Sequence, residues 1–135
     1  MTLKGSGSDV TSSFITAAAA DPDGISTAAS ISGAANLTIG GALASGGSVT
    51  MDSPRNVTIL SAGDDSGITF TVTGTDESSA AQTEVITGAD STTATGTKFF
   101  KTVTQIATSG SSAGNVSAGS GTSCCGVISA ARCRL

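Results

Sequence analysis

The sequence predicts an all-β fold, an antiparallel β-sandwich preceded by an extended arm. Three observations carry this. Apolar residues recur with period two in short runs, as in "GITFTVTGTD" (67–76), where Ile68, Phe70 and Val72 alternate with threonines. Turn-forming clusters divide these runs at intervals of about 8–14 residues, the spacing of sandwich and barrel folds. Charged residues make up only 12% of the 135 residues, against about 25% in ordinary soluble domains. Gly, Ser, Thr and Ala fill the remaining positions, a composition suited to strands and turns.

Along the chain, residues 1–23 show no sustained period and read as an extended arm, with one helical turn over Phe14–Ala20 capped by Ser12 or Ser13. "DPDG" at 21–24 predicts a turn, with Pro22 presetting φ and Gly24 allowing a left-handed exit. Asp21 and Asp23 raise the question of a calcium loop, but the other oxygen ligands and the closing Glu are missing. Strands follow in "ANLTIGG", "GGSVTMD", "RNVTILSAG", "GITFTVTG", "TEVITG", "TKFFKTVTQIATSG" and "GNVSAG". About seven strands in this order fit an Ig-like or jelly-roll-like sandwich over residues 24–119, with 120–135 as a cysteine-containing tail. Leu37, Ile39, Val57, Ile59, Ile68, Phe70, Val72 and Val103 are the expected inward residues. Val103 and Ile106 differ in parity, which predicts a bulge or a change of face in their strand. "GDDSG", "GTDESS" and "GADSTTATG" are the intervening turns.

The chemistry-bearing residues are few. There is no His, Trp or Tyr, and no serine sits in a nucleophile elbow, so no catalytic residue is assigned. The adjacent carboxylates of "GDDSG" read as hairpin-loop residues rather than an acid–base pair or a cation site. Glycine-rich 40–47 and 110–121 match no phosphate-binding loop. No metal ligand set and no cofactor site is predicted. The net charge of −4 argues against a general attraction to nucleic acid. No apolar run is long enough for a membrane helix, and no secretory signal is recognised, which leads to an expectation of synthesis in a cytoplasm. Cys124, Cys125 and Cys133 do not form a disulfide framework: the number is odd and two are adjacent. They read as reduced thiols in a tail, or as cross-links between subunits formed after release into oxidising surroundings.

The segments "SPRNVTI", "GITFTVTGTD" and "KFFKTVTQI", within residues 24–119, resemble small Ser/Thr/Gly-rich β-sandwich structural proteins of tailed bacteriophages and prophages. Capsid decoration, or cement, proteins are one such group. The resemblance implies a virion component on the capsid surface, made in the host bacterial cytoplasm. Its implied partners are the major capsid protein, which it would bind and stabilise, and further copies of itself, as a homotrimer or another homo-oligomer. The terminal "GTSCCGVISAARCRL" departs from the pattern. Candidate intersubunit contacts are Leu3, Phe14 and Ile15 in the arm, Arg55 in the sandwich, and Cys124, Cys125, Arg132, Cys133 and Arg134 in the tail. The other reading is a tail, neck or fibre module that binds host surfaces or carbohydrate. The lack of Trp and Tyr for stacking on sugar rings weighs against it. A face of threonine instead of charge suits copies that sit side by side without mutual repulsion.

Overall fold

Eight antiparallel strands and no helix build the described part of the chain, residues 20–123 of a computed structural model. They are β1 (Asp21–Ala29), β2 (Ala44–Ser45), β3 (Ser48–Ser61), β4 (Thr69–Thr75), β5 (Ala81–Thr87), β6 (Thr93–Thr95), β7 (Phe100–Thr108) and β8 (Val116–Ser123). The sheet order is β1-β8-β3-β7-β4-β5, with β2 and β6 also paired to β3. Strands cover more than half of residues 35–119, as the alternation predicts.

The hinge of this arrangement is β3. Its first part pairs with β7 (Val49↔Val103, Thr50↔Thr102) and its second part with β8 (Val57↔Ser120 through Ser61↔Val116). Between them the register to β7 slips, so that Arg55 stands opposite both Phe100 and Ser123. One strand thus serves two portions of the sheet by bending at a bulge, the usual way a sandwich turns a corner. Pro54 sits within this slip, where the missing N–H costs no ladder bond. "GGSVTMD" and "RNVTILSAG", expected as two strands, form a single strand of 14 residues that runs through Pro54.

Both portions contribute to one hydrophobic core. Ile25, Val116 and Ala118 come from β1 and β8, Val57 and Ile59 from β3, Phe70 and Val72 from β4, and Phe100, Val103 and Ile106 from β7. Each large apolar side chain buried here contributes about 1.5–3 kcal/mol. Of the residues expected inward, Leu37, Val57, Ile59, Phe70, Val72 and Val103 are buried, and Ile39 and Ile68 pack partly buried against the core. The parity conflict in β7 resolves as a bulge. Thr73 pairs with Gln105 and Gly74 with Val103, leaving Thr104 as the extra residue, so both Val103 and Ile106 reach the core. Gly74 is required there, since a Cβ would strike the Thr102 carbonyl.

Other local expectations change. "DPDG" is not a turn but the start of β1, where Asp21 pairs with Ser120 and the chain then bulges before Ser26 meets Ala118. That bulge carries Pro22 over β8, against Gly119, where a Cβ would collide with Asp21 and Pro22 backbone atoms. "ANLTIGG" makes no strand; Asn36 forms one bridge to Ala107 while Leu37 N donates to Ile106 O at 2.8 Å. "GADSTTATG" includes β6 as well as a turn. β3 and β4 are not neighbours, so "GDDSG" is a crossover between portions of the sheet, not a hairpin loop.

Candidate functional site: an uncharged threonine face ending in an open edge

The register of β5, β4 and β7 places like residues together on their outer side. Thr69 lies opposite Thr87, Thr71 lies between Val85 and Ala107, and Thr73 lies between Thr83 and Gln105. Thr75 is opposite Ala81 and shares a 2.6 Å hydroxyl contact with Thr102. None of these side chains is ionisable. The physical cause is the alternation in the sequence: Phe70, Val72 and Ile86 turn to the core, which forces the intervening threonines outward. Such a face offers hydroxyl donors and acceptors and β-branched methyls to whatever packs on it. It imposes neither a charge to desolvate nor a charge to repel a second copy.

Three devices frame this face. Asp76 closes the β4–β5 hairpin: its Oδ1 accepts from the N–H of Ser78 (2.8 Å) and of Ala80 (3.0 Å), holding Ser79 at a φ of 67°. Glu84 accepts from Thr97 N (2.7 Å), Thr97 Oγ1 (2.8 Å) and Lys98 N (3.1 Å), and so fixes the segment after β6 beside β5. Lys98 then extends its ammonium to the Thr83 carbonyl at 2.8 Å.

A separate cleft of about 440 Å³ opens between β1 and residues 30–38. Its lining includes Ser26, Thr27, Ser30 and Asn36 with Leu37 and Val116. The volume is in the range of small-molecule sites. Its described lining residues offer hydroxyl and amide groups that can hydrogen-bond a neutral molecule.

Arg55 is the one candidate contact residue among the described residues. It is only 3% exposed. Nε meets Asp52 Oδ1 at 3.1 Å and Nη1 donates to the Gly121 carbonyl at 3.0 Å. The guanidinium therefore clamps the β3 corner to β8 within its own chain. Leu3, Phe14, Ile15, Cys124, Cys125, Arg132, Cys133 and Arg134 lie outside the described residues.

The carboxylates of "GDDSG" do not share a site. Asp64 is exposed and bonded to Ser66, whose hydroxyl and N–H hold its carboxyl below the ordinary Asp range. Asp65 points inward, 2% exposed, and accepts from Ala113 N at 2.7 Å, which ties the crossover to the loop before β8. Among the described residues no group of three or more His, Cys, Asp or Glu is arranged to hold a metal ion. The feature that sequence reasoning missed is the edge at Val85. The signal was present in "TEVITG", where the apolar Val85 sits one place out of phase with the core residue Ile86. Comparison with protein-family models, with curated proteins and with solved structures returns no match for this chain.

Proposed function

We propose that this protein is a structural component of a virion of a tailed bacteriophage, best read as a capsid decoration protein that binds and stabilises the lattice of the major capsid protein. The observation that carries the reading is the threonine face of β5, β4 and β7. A chain of net charge −4 repels its own copies, and a broad outer surface with no ionisable side chain gives them a place to approach one another or a shell. Production in the host cytoplasm and residence on the capsid surface follow from the same reading. The arm residues Leu3, Phe14 and Ile15 and the tail residues Cys124, Cys125, Arg132, Cys133 and Arg134 are proposed as the contacts with neighbours.

The second reading, a tail, neck or fibre module, is favoured by the hydroxyl- and amide-lined cleft beside β1, which suits a neutral hydroxylated ligand. Counting copies of the chain per purified particle by quantitative mass spectrometry separates the two. Hundreds of copies are expected for decoration. A handful would select the tail reading, and absence from particles would overturn both.

A further inference from the structure

Alternate residues of an antiparallel strand direct both N–H and C=O to the same neighbour. Gly88 N donates to Ile68 O at 2.9 Å. The register continues through Ile86↔Phe70, Glu84↔Val72 and Gln82↔Gly74, so the even residues of β5 bond to β4. Ala81, Thr83, Val85 and Thr87 therefore turn their N–H and C=O groups away from the sheet. Among the described residues the one bond to this outward row comes from Lys98, on the Thr83 carbonyl. β5 has no proline, no glycine and no register slip. At its centre Val85 is 61% exposed, more than any other large apolar residue described. Edges of this kind are normally blunted by bulges, proline or several charges; here a single lysine stands guard.

We propose that β5 pairs antiparallel with β5 of a second copy about a twofold axis through Val85, so that the sheet and its threonine face run on from one subunit into the next. In that register Val85 meets Val85, each Thr83 meets Thr87, and Glu84 stands opposite Ile86, so no like charges oppose each other. Centring the axis on Thr83 instead would bring the two Lys98 ammonium groups together at the axis, a repulsive arrangement. Thr83, Val85 and Thr87 each gain both main-chain bonds, whereas Ala81 falls opposite Ala89, whose carbonyl already accepts from Asp65 N; Val85 is covered, and threonine pairs across the junction. Lys98 must release or share the Thr83 carbonyl, which makes it the gate of the contact. A strand-edge contact this short falls at the small end of specific interfaces. Association is weak in dilute solution and strengthens where copies are concentrated. The contact is twofold, separate from any threefold arrangement, and does not rest on the virion reading.

The test uses the full chain with Cys124, Cys125 and Cys133 changed to Ser and one new cysteine at a time. Opposed Cα atoms in a hydrogen-bonded pair lie about 5.5 Å apart, within the range of about 4.4–6.8 Å for a disulfide. Under mild oxidation Val85→Cys is expected to give covalent dimer several-fold faster than Ser66→Cys, an exposed loop control. A mixture of Thr83→Cys and Thr87→Cys chains is expected to cross-link faster than either alone. In sedimentation equilibrium Val85→Lys, at a position exposed enough to leave the fold intact, should raise the dimer Kd about tenfold or more. Equal rates for Val85→Cys and Ser66→Cys, or self-association unchanged by Val85→Lys, would overturn the proposal, as would a chain that stays monomeric at millimolar concentration. Copy number in particles is read separately, so this contact and the virion assignment fail independently.

Discussion

The two outer strands of the sheet are built from similar small, uncharged residues and finish differently. β1 is closed off: Gly40 N and Gly41 N both donate to Ile25 O, and Leu43 N donates to Gly24 O. Its opening residues bulge over β8, so that β8 is buried on both faces from Val116 to Gly121. β5 keeps a straight ladder to β4, and among the described residues only Lys98 bonds to its other side. The difference lies in glycine and proline placement. Gly41 and Gly119 let backbone lie directly on the β1 bulge, where a Cβ at either would strike Asp21–Gly24 backbone atoms. No glycine interrupts "AQTEVIT", and the strand stays regular and open. Small residues near β1 serve internal packing, whereas those on β5 serve an external surface.

The comparison breaks most sharply at Gly119. Gly119→Ala should lower stability by about 2–3 kcal/mol, because the new methyl meets main-chain atoms that cannot rotate away. A matched change on β5, Thr87→Ala, should cost no more than about 0.5 kcal/mol. Urea denaturation of the pair measures the contrast; similar losses at both sites would mean that the β1 side is not the tightly stacked one. Of intermediate size is Asp76→Ala, which removes the acceptor for Ser78 N and Ala80 N and leaves the positive φ of Ser79 held by main-chain bonds alone. The expected loss is about 1 kcal/mol, with faster hydrogen exchange at the hairpin end of β5 and none of that effect in β1. The smallest effect is acid titration. Asp64 is held below its ordinary value by Ser66, so its turn contributes stability present above the unfolded-state pKa and lost as pH falls through the lower folded-state value. A carboxyl titration followed by NMR should place Asp64 below the ordinary Asp value, and Ser66→Ala, which removes the hydroxyl bond and keeps the N–H bond, should raise it part of the way back.

How much of this was legible in the sequence follows from the range of each interaction. β4, β5, β7 and β8 were readable because their alternation is local, and the Val103/Ile106 parity conflict located the β7 bulge. β3 is one strand where two were expected, because its passage through Pro54 depends on a partner register that slips beside it. β1 was hidden because "DPDG" has turn chemistry, and its strand conformation comes from β8 and residues 40–43, which are distant in sequence. Arg55 was named as an intersubunit contact, and its bonds to Asp52 and to the Gly121 carbonyl appear only once the fold brings β8 beside it. The β5 edge depends on the long-range order β7-β4-β5, and its one local mark is the out-of-phase Val85 beside Ile86.

Amide hydrogen exchange along β5, followed by NMR on the intact chain, tests the central claim of a bare edge beside a paired one. In dilute solution Gln82, Glu84 and Ile86 should be protected while Thr83, Val85 and Thr87 exchange nearly as fast as free chain, an alternation that β8, bonded on both sides, should lack. As concentration rises the three exposed amides should gain protection together. Uniform protection of β5 at the lowest concentration would contradict the account, because the edge would then be covered within the monomer.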